Sequence, residues 1–124
     1  MKTELLYCLQ TSMMIGANTM QIKPWEVWFA SVRFEDSPDV KARPVVVTSS
    51  GAVYVCALKV TSHKPRNRWG EYQLKQWQYA GLKYESTVRV EKQIRLERRD
   101  MIHRLGTLHP IDILGIQDVI ASKR

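Results

Sequence analysis

Short runs of β-branched and aromatic residues, each closed by a turn signal, recur along this chain and leave room for one clear helix, near its C-terminus. Residues 27–34 (VWFASVRF) predict a first strand. Glu35-Asp36-Ser37-Pro38-Asp39 is turn chemistry and predicts a polar loop running to Ala42. Val45-Val46-Val47 reads as a short buried strand before a Ser49-Ser50-Gly51 turn. Residues 52–60 (AVYVCALKV) read as a third strand whose continuous apolarity implies burial on both faces. A basic loop, residues 63–70 (HKPRNRWG), follows, then a brief strand at 71–74. A helical turn is expected over 75–82, closed by Gly81. Residues 87–90 and 93–96 read as two further strands meeting near Glu91-Lys92. A charged turn at 97–100 then precedes an apolar pattern at Met101, Ile102, Leu105 and Leu108.

The terminal helix has the strongest local signal. Pro110 suits its first position, and Ile113, Leu114, Ile116 and Ile120 mark an apolar stripe. Gly115 inside it costs about 1 kcal/mol against alanine, which implies close packing there. His109, just before Pro110, is placed to cap the helix. These elements predict a mainly β (α+β) fold: a small, strongly bent antiparallel sheet or partial barrel with a C-terminal helix.

At 124 residues the chain is one ordinary domain, and 44% hydrophobic with 25% charged residues excludes a disordered or collagen-like chain. No apolar run approaches the roughly 18 residues of a membrane span. Cys8 and Cys56 are too few for a zinc site or a disulfide framework, and Cys56 is expected to be a buried free thiol. No HExxH, carboxylate pair or glycine-rich phosphate loop occurs, so neither a metal nor another cofactor is expected. Residues 1–22 carry an apolar run of five residues (LLYCL), too short for the roughly 7–15 of a signal h-region. They are read as a poorly ordered extension, leaving 23–124 as the domain of a cytoplasmic protein.

The formal net charge of +7 is unevenly spread. Residues 1–42 carry four basic and five acidic side chains; residues 43–124 carry fifteen basic and seven acidic, a net of +8. That is the footprint of a polyanion-binding surface, or of a basic face that only keeps the protein in solution. Charge does not choose between DNA, RNA and an acidic protein partner.

Five segments in order resemble the MazF/PemK family of toxin–antitoxin ribonucleases. Glu26-Val27-Trp28-Phe29-Ala30 is similar to the opening strand, and Arg43-Pro44-Val45-Val46-Val47 to the family's Arg-Pro and apolar run. Thr61-Ser62 stands where the family has a threonine at a strand end. Ser86-Thr87-Val88 with Gln93-Ile94-Arg95 resembles a paired-strand segment, and residues 102–108 (IHRLGTL) precede the last helix. The resemblance covers residues 24–120. It departs at Trp25-Glu26, where Gly-Asp is usual, at Pro38 in a first loop without glycines, and at His63. It implies an SH3-like barrel, a homodimer with an RNA groove near its interface, and a cognate antitoxin with an acidic tail. It also implies sequence-specific, metal-independent cleavage of single-stranded RNA by the substrate's own 2′-hydroxyl.

Such chemistry needs a proton acceptor, charge stabilisation for a phosphorane, and a proton for the leaving 5′-oxygen. By the resemblance Arg43 stabilises the phosphorane, since a guanidinium fork grips two phosphoryl oxygens. Its alternative is a strand-start arginine paired to an acid such as Asp39. Thr61 holds the phosphate or the 2′-hydroxyl, against an ordinary strand threonine, and Ser62 is a secondary phosphate contact. His63 is a candidate proton shuttle because imidazole titrates near 6.5; its alternative is a loop histidine in solvent. Lys64, Arg66 and Arg68 interleave with Trp69, a pattern suited to phosphates and a stacked base, or to a solvated loop with the indole on the core. Gln93 is expected at a base edge or ribose by family position. Trp28 is expected in the core, Trp77 and Tyr79 as anchors of the short helical turn, and His103 as structural. Two other readings stay open: a toxin of the same fold that poisons DNA gyrase without cutting RNA, and a non-catalytic basic RNA-binding module.

Overall fold

The computed structural model describes residues 21–33, 39–65 and 69–122. Six strands run β1 (Glu26–Arg33), β2 (Val40–Ser50), β3 (Tyr54–Thr61), β4 (Glu71–Gln73), β5 (Thr87–Glu97) and β6 (Met101–Thr107); helix α1 (Pro110–Ser122) comes last. They form one sheet in the order β4-β5-β3-β2-β1-β6, with every neighbouring pair antiparallel. β4 and β6 remain edges, so the sheet is bent rather than closed, the partial barrel that the strand pattern predicts. Irregular register between β1 and β6, β2 and β3, and β3 and β5 supplies the bending, since a bulged strand kinks and twists more.

Several strand boundaries differ from the expectation: β3 begins at Tyr54 rather than 52, with Val53 and Tyr54 exposed beside the turn, and β2 and β5 differ more. β2 is eleven residues long, not three, because it pairs with β1 from Arg33↔Val40 onward. Residues 40–43 are exposed, and backbone pairing there needs no apolar side chains, so the sequence showed only a polar stretch. The two short strands at 87–90 and 93–96 are one strand, β5, with a bulge: Arg89 pairs with Lys59 and Gln93 with Leu58. Two of the skipped amides are satisfied from outside this ladder, Val90 N–H donating to the Gly70 carbonyl at 2.6 Å and Glu91 N–H at 3.3 Å.

Both faces of the sheet are buried, as the valine runs require. One face gathers Trp28, Ala30, Val32, Val45, Val47, Val55, Ala57 and Met101, with Ile22 packed among them. The other gathers Val27, Val46, Leu58, Val60, Val88 and Leu108 beneath Ile116 of α1. Full burial of Ile116 contributes about 2–3 kcal/mol. Gly115 beside it lies against the Tyr72 ring, where a Cβ would collide. Pro110 opens α1, and His109 caps it by accepting the Ile111 N–H on Nδ1 at 3.1 Å. The expected apolar stripe is narrower than the sequence suggests: Leu114 and Ile120 are exposed, and buried Asp112 shares the inner face with Ile116. Cys56 is a free, half-buried thiol. Trp28 is buried in the core and donates its indole N–H to Glu26 Oε1 at 2.9 Å. The expected extension at 1–22 lies outside the described residues up to position 20, while Ile22 belongs to the core.

Trp25 has φ +70°, the left-handed conformation that a Cβ disfavours. Its backbone ties two strands to the helix connection: the N–H donates to the Val47 carbonyl at 2.6 Å and the carbonyl accepts the Leu108 N–H at 2.9 Å. The half-buried side chain packs on the helix-side core. Here stands the position where the resembled family has glycine, and the conformation explains why glycine suits it.

Candidate active site

A cleft of about 960 Å³ opens where β1, β2, β3 and β6 meet the segment 81–86. Arg43 reaches it from β2, beside Pro44. Thr61 comes from the end of β3, with Ser62 and His63 just beyond. Thus four residues spread between positions 43 and 63 of the sequence line one cavity.

The strand end is built to hold His63. Thr61 Oγ1 accepts the His63 N–H at 3.2 Å, and Thr87 Oγ1 donates to the His63 carbonyl at 2.7 Å. Thr61 and Thr87 are themselves partners across β3 and β5, so the ladder sets the spacing of this bracket. Because the Thr61 oxygen serves as acceptor in this bond, its hydroxyl still has a proton to donate.

The lining is electropositive. Lys59, Lys83 and Arg89 join Arg43, with His63 and His103, and no carboxylate stands among the described residues of the lining. Arg89 is partly neutralised from behind by Glu71 at 3.9 Å and Glu91 at 3.5 Å. Apolar surface comes from Phe29, Leu82, Tyr84 and Leu105. His103, expected to be structural, faces the cleft with its ring edge-on to Phe29, centroids 5.5 Å apart across the β1–β6 pair.

The wall at 81–86 is fixed at three points. The predicted helical turn is present, with Ala80 N–H donating to Gln76 O and Leu82 N–H to Trp77 O, and Gly81 closes it at φ +89°. Gly81 and Gly106 lie back to back with β6: a Cβ on the first would strike the Leu105 carbonyl, and one on the second the Ala80 carbonyl. From α1, fully buried Asp112 accepts three hydrogen bonds: Tyr72 Oη (2.8 Å) and Lys75 N (2.9 Å) at Oδ1, and Gln76 N (2.9 Å) at Oδ2. Burial first, then the bond to Asp112, holds the Tyr72 phenol well above its ordinary range.

The remaining predicted contacts fall elsewhere. Lys64 is exposed one residue past the lining. Trp69 donates its indole N–H to Ser122 Oγ at 3.1 Å, at the far end of α1. Gln93 is exposed on β5 opposite Leu58. Arg66 and Arg68 lie outside the described residues. Of the expected anchors of the helical turn, Trp77 packs on the core, whereas Tyr79 is exposed and rests edge-on to His109. Lys59, Lys83, Tyr84 and His103 were not foreseen as cleft residues. The Lys83-Tyr84 pair between Gly81 and the Ser86-Thr87 strand start was the available signal. Among the described residues no group of three or more His, Cys, Asp or Glu side chains could hold a metal, and no helix is long and apolar enough to cross a membrane.

This bent sheet with its cleft and terminal helix is the fold of the MazF-type endoribonuclease toxins. An endoribonuclease from a mycobacterial species matches with a TM-score of 0.65 at 16% identity, covering 84% of this chain and 91% of that one. A mycobacterial endoribonuclease in complex with its cognate antitoxin matches at 0.63 and 16%, covering 82% and 93%. The Mycobacterium tuberculosis toxin MazF-mt6 matches at 0.62 and 18%, covering 77% and 92%. At these identities the likeness is one of fold. No protein-family model and no curated protein sequence matches the chain.

Proposed function

We propose that this chain is the toxin of a toxin–antitoxin pair, a metal-independent, sequence-specific endoribonuclease acting on single-stranded RNA. The observation that carries the reading is the cleft itself: Arg43, Thr61, Ser62 and His63 converge in an electropositive cavity on a fold shared with endoribonuclease toxins.

In the proposed reaction the substrate's 2′-oxygen attacks the adjacent phosphorus and the bond to the 5′-oxygen breaks. A 2′,3′-cyclic phosphate and a 5′-hydroxyl result. Arg43 neutralises the phosphorane that forms between these states; an always-charged guanidinium suits that role better than proton removal. The Thr61 hydroxyl donates to a phosphoryl oxygen, with Ser62 beside it. His63, held by its bracketed backbone, moves the proton between the 2′- and 5′-oxygens.

The same basic surface suits the acidic tail of a cognate antitoxin, whose carboxylates would compete with RNA phosphates. α1 leaves Ile111 and Leu114 exposed on neighbouring positions of one face, a surface that a second copy would cover in a homodimer. The protein would act in the cytoplasm, where its RNA is.

Incubating the protein with mixed-sequence RNA in EDTA tests the reading. Discrete cuts bearing 5′-hydroxyl ends, abolished in Arg43→Ala, are expected. RNA left intact by a folded, RNA-binding protein overturns it in favour of the non-catalytic module. Intact RNA together with gyrase inhibition that survives Arg43→Ala overturns it in favour of the gyrase poison.

A further inference from the structure

Among the described residues, the exposed aromatic side chains divide into those with a partner and one without. Tyr54 lies under the Arg95 guanidinium, 4.4 Å from its ring centroid. Tyr79 rests edge-on to His109, and Trp69 donates to Ser122. Tyr84 is the most exposed of them, at 70%, and its ring and hydroxyl meet no partner among the described residues. Yet it belongs to the lining of the cleft, next to Lys83.

An unpartnered aromatic on a loose loop would mean little. This one stands on a stiff backbone. Ser86 Oγ donates to the Tyr84 carbonyl at 2.7 Å, and the Ser86 carbonyl accepts the Leu74 N–H at 2.9 Å. Upstream, Gly81 is pressed against the Leu105 carbonyl, and Asp112 holds the amides of Lys75 and Gln76. The ring is therefore presented to solvent at a set place beside the cleft, with little conformational freedom left for its backbone to lose on binding.

We infer that Tyr84 and Lys83 form a nucleotide subsite, in which the Tyr84 ring stacks on the base of a nucleotide flanking the scissile phosphate and Lys83 meets that nucleotide's phosphate. The inference rests on the proposed ribonuclease reading and adds to it a contact that selects single strands. In a duplex every base face is already covered by its neighbours; in a single strand a base can swing onto a protein ring. Stacking of this kind tolerates any base, so the subsite raises affinity for unpaired RNA without dictating sequence.

The test separates binding from cutting by using single-stranded RNA with 2′-O-methyl groups throughout, which lacks the attacking hydroxyl. Binding is read by fluorescence anisotropy. Tyr84→Ala is expected to weaken binding about 5- to 150-fold, the range that base–aromatic stacking is worth, while Tyr84→Phe restores it. An oligonucleotide with an abasic site at the flanking position should bind the wild type as weakly as the intact one binds Tyr84→Ala, and the two losses should not add. Lys83→Gln should reduce the slope of log Kd against log salt by about 0.7, one phosphate contact on a single strand. On cleavable RNA, Tyr84→Ala should raise KM and leave kcat. Binding unchanged by Tyr84→Ala, or additive losses with the abasic strand, overturns the subsite even where cleavage in EDTA and its loss in Arg43→Ala uphold the ribonuclease reading. Base-dependent binding without cleavage of unmodified RNA would overturn the ribonuclease reading alone.

Discussion

Asp112→Ala is the substitution that most directly probes how the cleft wall is held. It takes away one carboxylate and leaves three donors short: the Tyr72 hydroxyl and the amides of Lys75 and Gln76, all within 2.9 Å of it. A hydrogen bond to a charged acceptor contributes about 1.5–3 kcal/mol, and a donor stranded in a buried place costs about 1–3 kcal/mol. The three share one acceptor and are partly reachable by water, so their losses do not simply add; about 3–5 kcal/mol is expected. Against a total of about 5–15 kcal/mol for a domain of this kind, that is a large fraction. Urea denaturation read by tryptophan fluorescence measures it, since buried Trp28 reports the core, and the midpoint should fall with the slope unchanged. Asp112→Asn should fall between, because its carbonyl can keep the Oδ1 partners while its NH₂ opposes the Gln76 amide. Tyr72→Phe, which removes a single donor to the carboxylate, should cost about 1.5–3 kcal/mol, and its cycle with Asp112→Ala should show coupling of about 1–2 kcal/mol. A loss under about 1 kcal/mol in Asp112→Ala, or no coupling to Tyr72, would refute the account of the wall as suspended from α1.

Two further outcomes follow from particular geometries. At Trp25 the usual order of alanine over glycine should reverse: both substitutions lose the indole packing, but at φ +70° only glycine escapes a strain of about 1–2 kcal/mol. Trp25→Gly should thus be more stable than Trp25→Ala by about 1 kcal/mol in urea, and equal or opposite stabilities would contradict it. Tyr72, with its pKa raised by burial and by Asp112, adds stability that is complete below the unfolded value of about 10 and declines as pH rises beyond it. The stability difference between wild type and Tyr72→Phe should shrink above that pH; a constant difference would show that Tyr72 does not titrate as described.

What the sequence made legible were features with a local cause. Pro110 and His109 announce the helix start through fixed φ and a side-chain acceptor, and the Val45-Val46-Val47 run announces a buried strand. Arg43 and Thr61 could be singled out only because a family pattern tied together positions that composition leaves far apart. Asp112 was invisible for the opposite reason. In the first turn of a helix an acidic residue already has an adequate explanation in the helix dipole, and nothing local says that residues 75 and 76 will reach it. A tryptophan among three cations suggests a base platform, but no local signal says that the Trp69 indole N–H will reach Ser122 at the end of α1. Lys59 reads as an ordinary strand residue and His103 as structural, because which side of a bent sheet they face depends on bulges that leave no mark in the chain.

The back-to-back placement of Gly81 and Gly106 has a consequence for how such a cleft can change. Its width at this wall is set by peptide groups in contact, with no side chain between them to lengthen or shorten. Substitutions at Lys83 or Tyr84, both exposed, therefore alter what the cleft offers a ligand without altering its gauge. Selection on such a protein could retune which strands are gripped, residue by residue, against a frame that stays put, whereas any side chain gained at either glycine would move the whole wall at once.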